Sequence, residues 1–435
     1  MAAGARRREG SGDAGRGRER TGASAGPPVP RGPLRPTDLL GAFFLCAITF
    51  ALLGTGLAVA NAIDSWAWGR WLALHLLFIG GVSQLILGAS QFFAGAFLAT
   101  DPPPRPLVRA QLGCWNAGTI CLAIAVPERL QTLTVIGAAL LLGALVLYAG
   151  GLRTMSRRAL NRAPWASRWY LLAAAFLAPG IVAGVAMANG HVWTHGYLLD
   201  AHMALNLAGW FGAAIVGTLH TFFPSLARTQ LRMPRLQGAT FGAWASGVTA
   251  LAVGYGFAVD GLAVAGWILL ATAATLLVAN IAGTAAAVNS PLSLPARLVG
   301  AGQLFLLVGL VVAAAVAIGS GPDRALAGST RAGVATLLVA GWIGLTVVGA
   351  LLHLLALLTR VRDPRRGLPE PHRARDAAIA AVAALALAAL ALAHLLEAEG
   401  AVDVAAAAVV CIYAGFGARI VLLAVRAAVR ARPRL

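Results

Sequence analysis

Three apolar stretches of this chain carry a histidine or a glutamine at or beside a matching place in a short repeated pattern. Segment 209–228 aligns without gaps on 341–360, and a weaker third copy covers 80–91. Eleven residues after the first glycine of each copy stand Gln91, His220 and Leu352, and His353 follows the leucine. Because imidazole and amide groups are costly in hydrocarbon, they usually face the interior of a helix bundle and mark a site. The repeat therefore predicts where this protein works.

The predicted sixth span has several polar residues on one face. His202, Asn206 and Gly209 fall within about 60° of one another when each residue turns the helix by 100°. His220 follows His202 by eighteen residues, or five turns, so both imidazoles face the same way at roughly 27 Å separation. One metal ion cannot bridge that distance. The spacing therefore predicts two separate sites.

Imidazole is a ligand for copper and for haem iron. His75 lies near the start of the predicted second span, and His353 lies near the end of the tenth. We expect the cofactor ligands to be His75, His202, His220 and His353, with Gln91 and Asn206 as further polar site residues. Since Gln91, His220 and His353 lie at similar depth, a threefold arrangement would gather them around a common axis as a second polar cluster.

The sequence from His191 to His195 places two imidazoles four residues apart, and His202 follows seven residues later. Continued as a helix, all three would lie on one stripe, which suits copper, zinc or haem iron. Gly190 and Gly196 argue against such a helix. In the alternative interpretation, both histidines belong to an aromatic belt at the membrane interface.

The composition predicts an all-α protein of the membrane. Of 435 residues, 59% are hydrophobic and only 11% are charged, which excludes a soluble globule. Backbone groups in hydrocarbon must bond internally, so the spans should be helices. We predict twelve spans, at 38–61, 71–99, 110–126, 130–150, 169–188, 201–223, 237–259, 262–282, 296–319, 332–358, 375–396 and 404–425.

The charge distribution predicts the orientation of these spans. The formal net charge of +18 comes from arginine alone, and the arginine-rich loops fall on one side of the predicted membrane. That is the positive-inside bias, which places both termini in the cytoplasm of a multi-pass plasma-membrane protein. It also accounts for the basic charge without nucleic acid, so we expect the lipid bilayer, and no nucleic acid, as a partner. Residues 1–36 read as a disordered basic cytoplasmic tail, 37–430 as the twelve-helix membrane domain, and 431–435 as a basic cytoplasmic C-terminus.

Repeats on the second, sixth and tenth spans imply three pseudo-repeats of four helices around a pseudo-threefold axis. The paired glycines of each copy have a simpler explanation, because small residues let membrane helices approach closely. Close packing alone does not explain why the copies are four spans apart.

This pattern resembles the haem–copper oxidase subunit I superfamily, which keeps histidine ligands on helices two, six and ten of a pseudo-threefold bundle. The segment from His75 through Gly80 to Ala89 looks like its second helix, and like that of the related NnrS-type haem and copper membrane proteins. The stretch from His202 to Pro224 is similar to membrane parts attached to some copper oxidases and nitrite reductases. The resemblance implies a haem or copper cofactor and a role in redox chemistry, nitric oxide or copper handling.

The chain departs from the oxygen-reducing members of that superfamily. Residues 237–259 lack the paired histidines of the seventh helix, and His353 lies at the opposite end of its span from the tenth-helix ligands. An enzyme of this type would be a membrane oxidoreductase supplied by an electron-donor partner, but not a full oxygen-reducing proton pump. Two other functions fit the same features: a secondary transporter, since twelve spans and internal repeats are typical of carriers, and a non-catalytic assembly partner in a membrane complex.

Overall fold

The computed structural model describes residues 36–160, 164–362 and 370–429, and these contain helices and no strands. The segments 1–35 and 430–435 lie outside the described residues, so almost all of the predicted N-terminal tail and the whole C-terminal segment lie there too. The described residues belong to one compact unit. The twelve long helices are α1 (Pro36–Ile63), α2 (Gly69–Leu98), α3 (Arg105–Ala125), α4 (Gln131–Arg157), α5 (Pro164–Ala188), α6 (Leu198–Ala227), α7 (Leu236–Gly256), α8 (Asp260–Ala286), α9 (Leu294–Ser320), α10 (Gly328–Val361), α11 (Arg373–Leu395) and α12 (Glu399–Val429).

Ten of these helices are long and apolar enough to cross a membrane, so the described chain is a polytopic helical bundle. Only α3 and α7 fall outside this group. Helix α3 contains Gln111 and Asn116, and α7 contains five glycines and two threonines, which lowers the mean hydropathy of both helices. The predicted count of twelve spans therefore stays a prediction.

Helices α2, α6 and α10 each contain a π-helical segment, at Leu76–Val82, Ala204–Gly212 and Thr336–Gly344. Each segment includes the first glycine of one repeat copy: Gly80, Gly209 or Gly341. A π-helical turn accommodates one extra residue, is rare, and occurs often at functional sites. The three copies of the sequence pattern thus share a local backbone feature.

Neighbouring helices pack in a recurring order. Helix α1 lies along α2, α5 along α6, and α9 along α10, while α3 pairs with α4, α7 with α8, and α11 with α12. In α1, α5 and α9, an aromatic side chain fills the space beside a glycine of the neighbouring helix. A Cβ atom added at Gly80, Gly209 or Gly341 would lie within 3 Å of Phe50, Phe176 or Phe305, respectively. These glycines therefore permit close helix approach, as the packing interpretation of the repeat predicts.

Candidate functional site

His75 ends the first α-helical turns of α2, immediately before the π-helical segment. Its ring stacks on Trp71, with centroids 4.0 Å apart. The Nδ1 atom lies 2.7 Å from the carbonyl oxygen of Trp71. Because a carbonyl oxygen only accepts hydrogen bonds, Nδ1 carries the proton and donates it. The lone pair of the neutral ring is then on Nε2.

His202 lies on the first turns of α6 and contacts α5 through two glycines. Its Nδ1 is 2.8 Å from the carbonyl oxygen of Gly180, to which it donates by the same argument. A Cβ atom added at Gly184 would lie 2.9 Å from Cε1 of His202, so the ring fits against bare backbone. Asn206 is beside it, and its Nδ2 donates to the carbonyl oxygen of His202 at 2.7 Å. These contacts fix the orientation of the imidazole.

His75 and His202 stand in the first turns of two helices that contact each other, since the rings of Phe78 in α2 and Phe211 in α6 pack with centroids 5.1 Å apart. In both, the Nδ1 proton is used by a main-chain carbonyl, and no residue described by the structure bonds Nε2. Metal-binding histidines usually hold their second ring nitrogen in this way, which fixes the tautomer and the ring orientation. Two such imidazoles from α2 and α6 form the candidate site.

His191 and His195 lie in the loop between α5 and α6, so the three-histidine helical stripe does not form. Gly190, with φ of +74°, ends α5. The loop is attached to the end of α7, because Nε1 of Trp193 donates to the carbonyl oxygen of Gly256 at 2.6 Å. His191 and His195 are exposed. His195 also packs edge-on to Trp193, with centroids 5.1 Å apart, in a small aromatic group.

Gln91 and His220, at equivalent positions of the repeat, have equivalent hydrogen bonds. Nε2 of Gln91 donates to the carbonyl oxygen of Leu87 at 2.8 Å, and Nδ1 of His220 donates to that of Val216 at 2.8 Å. Each residue bonds the carbonyl four positions earlier. Each also has a second polar atom, Oε1 or Nε2, that is buried and has no partner among the described residues.

The ring of His220 packs against α5, where it is stacked on Trp169 at 6.1 Å between centroids. Both His202 and His220 therefore lie against α5, as their five-turn spacing predicts. In the part of the chain that the structure describes, no hydrogen bond or ring contact joins Gln91, His220 and His353 to one another. His353 instead meets the ring of Phe222 edge-on, with centroids 5.7 Å apart, and the predicted cluster of the three side chains stays a prediction.

His353 lines a cavity of about 210 Å³ at the C-terminal ends of α6 and α10. We call it the arginine cavity, because its lining includes Arg228, Arg375 and Arg419. Asp376 forms part of its wall, where it pairs with Arg375 at 3.2 Å and accepts the backbone N–H of Leu294 at 3.2 Å. With Asp376 engaged in this way, the other charged residues of the wall are Arg228, Arg419 and Glu370.

A second, smaller cavity of about 90 Å³ lies between α2, α6 and α10. We call it the central cavity. Phe44, Val82 and Tyr170 form part of its lining, and each of the three helices contributes five further side chains that stand at equivalent positions of the repeat. They are Leu85, Ile86, Ala89, Ser90 and Phe93 of α2, Ala214, Ile215, Thr218, Leu219 and Phe222 of α6, and Thr346, Val347, Ala350, Leu351 and Leu354 of α10.

The π-helical segments share a further contact that sequence reasoning missed. In each segment one carbonyl oxygen accepts a hydrogen bond from an aromatic side chain of another helix. The pairs are Trp115 with Ile79 at 2.9 Å, Trp244 with Ala208 at 3.0 Å, and Tyr413 with Ala340 at 2.5 Å. The signal was present in the sequence, because Trp115 and Trp244 are separated by the same 129 residues as Gly80 and Gly209.

Within the described ranges, no group of three or more His, Cys, Asp or Glu side chains is arranged to hold a metal ion. The candidate site at His75 and His202 thus offers two protein ligands. No protein-family model matches this chain, and no curated protein matches it significantly. The assignment of a function therefore depends on the geometry.

Proposed function

We propose that this chain is an integral membrane protein that binds a copper ion or a haem iron through His75 and His202. The observation that carries the proposal is the shared state of the two imidazoles. Each donates its Nδ1–H to a main-chain carbonyl oxygen, each keeps Nε2 for a ligand, and the two histidines begin helices that pack on each other through Phe78 and Phe211. Two neutral imidazoles suit either metal centre.

The residues around the pair have definite tasks in this proposal. The carbonyl oxygens of Trp71 and Gly180 hold the tautomer that leaves Nε2 available. Asn206 fixes the first turn of α6, and Gly184 provides the space in which the His202 ring lies. A bound copper or haem iron would supply one-electron redox chemistry, in keeping with a role in redox reactions, nitric oxide or copper handling. If the protein is an enzyme, it is a membrane oxidoreductase.

The arrangement of α2, α6 and α10 supports the resemblance to the haem–copper oxidase and NnrS-type proteins. The three helices surround the central cavity with equivalent residues, which is what three pseudo-repeats of four helices require. We place both termini in the cytoplasm of the cell that makes the protein, from the arginine bias of the loops. In that orientation His75 and His202 lie near the outer surface of the plasma membrane, where an extracytoplasmic electron donor has access.

The test is metal and haem content of the purified full-length protein. From cells supplied with copper and haem, the wild type should contain copper by elemental analysis or haem by its absorbance spectrum. His75→Ala and His202→Ala should each lose most of it while the protein still inserts. His191→Ala is the matched control, since His191 is an exposed loop histidine, and it should keep wild-type content. Wild-type protein free of both copper and haem would overturn the proposal.

A second candidate function is secondary transport, and the arginine cavity is the observation that favours it. Arg228, Arg419 and His353 would suit an anionic solute at the cytoplasmic ends of the helices. Proteoliposomes loaded with labelled phosphate or a carboxylate would show exchange that is lost in Arg228→Gln. Vesicles without exchange would exclude transport of these anions.

A further inference from the structure

The central cavity has no polar group available for a ligand. Its hydroxyl groups are engaged elsewhere: Ser90 is 2.7 Å from the Tyr148 hydroxyl, and Thr218 donates to the carbonyl oxygen of Ala214 at 2.7 Å. Thr346 accepts a hydrogen bond from Nε2 of Gln303 at 3.0 Å. A water molecule in a cavity needs two to four polar partners, so this lining favours neither water nor an ion.

Each of the three helices contributes an alanine to the wall of the cavity, and these alanines stand at the same position of the repeat or one helical turn away. Ala89 and Ala350 are equivalent, and Ala214 lies one turn before the matching Thr218. A larger side chain at any of these positions would fill the space, and unfilled space in a packed core reduces stability. None of the three repeat copies nevertheless has a side chain that fills this space.

We propose that the central cavity binds a small, uncharged, non-polar molecule of the size of a dissolved diatomic gas. An apolar cavity of roughly 150 Å³ stays dry and takes benzene or xenon. The central cavity, at about 90 Å³, is smaller and suits a smaller guest. It begins at Val82, seven residues beyond His75 along α2, so it is a separate site and does not depend on a metal at His75 and His202.

Xenon is the probe for this site, because it is non-polar and reports its environment by NMR. Purified full-length protein in lipid nanodiscs should give a saturable signal from bound xenon that exchanges with free xenon. Ala350→Phe, which fills the cavity from α10, should lose that signal. Ala389→Phe makes the same change at an exposed position of α11 and should retain it. Copper and haem content should be the same in both variants, which separates this test from that of the metal site.

If Ala350→Phe does not fold, a smaller substitution tests the same proposal. Ala89→Val fills part of the cavity from α2 and should weaken xenon binding while the protein keeps its wild-type thermal unfolding. Three results would overturn the proposal: no saturable xenon signal in the wild type, equal loss in Ala350→Phe and Ala389→Phe, or an experimental density map in which a lipid acyl chain or water fills the cavity.

Discussion

His220 of α6 and Gln91 of α2 are structural equivalents, each bonded to the carbonyl oxygen four residues earlier and each left with one buried acceptor atom that no described residue satisfies. At the third equivalent position stands Leu352, which has no polar atoms in its side chain and is 4% exposed. The same place in the fold therefore accepts an imidazole, an amide or an aliphatic group.

This equivalence predicts that His220→Leu folds and is at least as stable as the wild type. Leucine removes an unsatisfied buried acceptor, whose burial costs about 1–3 kcal/mol, and it gives up one intrahelical side-chain bond of about 1 kcal/mol. Thermal or denaturant unfolding in detergent would measure the difference. Gln91→Leu is the matched variant and should behave alike. If His220→Leu alone were strongly destabilised or lost bound copper or haem, Nε2 of His220 would be a ligand after all.

The contact of the His202 ring with Gly184 of α5 predicts that a substitution at Gly184 removes metal although both histidine ligands are kept. A Cβ atom at position 184 would lie 2.9 Å from Cε1 of the His202 ring. The methyl groups of Gly184→Val extend further, so the imidazole must move. We expect the copper or haem content to fall by more than half, with a smaller decrease in Gly184→Ala. Gly143→Val is the control, because a Cβ at Gly143 meets nothing within 4 Å. Equal content in Gly184→Val and the wild type would show that this contact does not position the ligand.

The hydroxyl of Tyr413 donates to a carbonyl oxygen of the π-helical segment in α10, which predicts a stability cost for Tyr413→Phe. Leaving that partly buried oxygen without a donor should lower the free energy of unfolding by about 1–3 kcal/mol. The same substitution at Tyr197, which is half exposed and outside this contact, should stay within about 0.5 kcal/mol of the wild type. Comparable unfolding of the two variants would argue that the contact contributes little.

Orientation is tested by cysteine labelling. In a background without Cys46, Cys114, Cys121 and Cys411, a cysteine in place of Val192 lies in the exposed loop before α6. A membrane-impermeant maleimide should label it in intact cells. Arg158→Cys, at the end of α4, should be labelled only after permeabilisation. The reverse pattern would place the termini outside and invert the position of the candidate metal site.

Much of the fold could be predicted from hydropathy, because every predicted span lies largely within a helix. The helices extend beyond the apolar cores, as α12 does from Glu399 to Val429 around the predicted 404–425. Polar residues at the ends continue the helix outside the hydrocarbon, where hydropathy carries no signal. The single turn Pro322–Ala325 was not predicted, since one turn is too short to show a periodicity.

The candidate site was predicted only in part. The histidines themselves were visible, since polar residues in apolar spans are rare. Their hydrogen-bond partners were not visible, because every residue has a main-chain carbonyl oxygen. Only the folded structure shows that those of Trp71 and Gly180 accept from the histidines. The π-helical segments were also missed, since one extra residue in a turn leaves almost no trace in an apolar stretch. The flanking glycines correctly predicted that His191 and His195 do not lie on a helix, while their role as ligands stays a prediction.

The aromatic donors to the π-helical segments have a consequence for biosynthesis. In all three pairs the acceptor precedes its donor in the chain, by 36, 36 and 73 residues. A nascent chain that emerges N-terminus first thus presents each π-helical segment to the insertion machinery before the tryptophan or tyrosine that bonds it has been translated. The third copy must wait about twice as long as the others, until Tyr413 of α12 leaves the ribosome, so full hydrogen bonding of the α10 segment follows translation of α12.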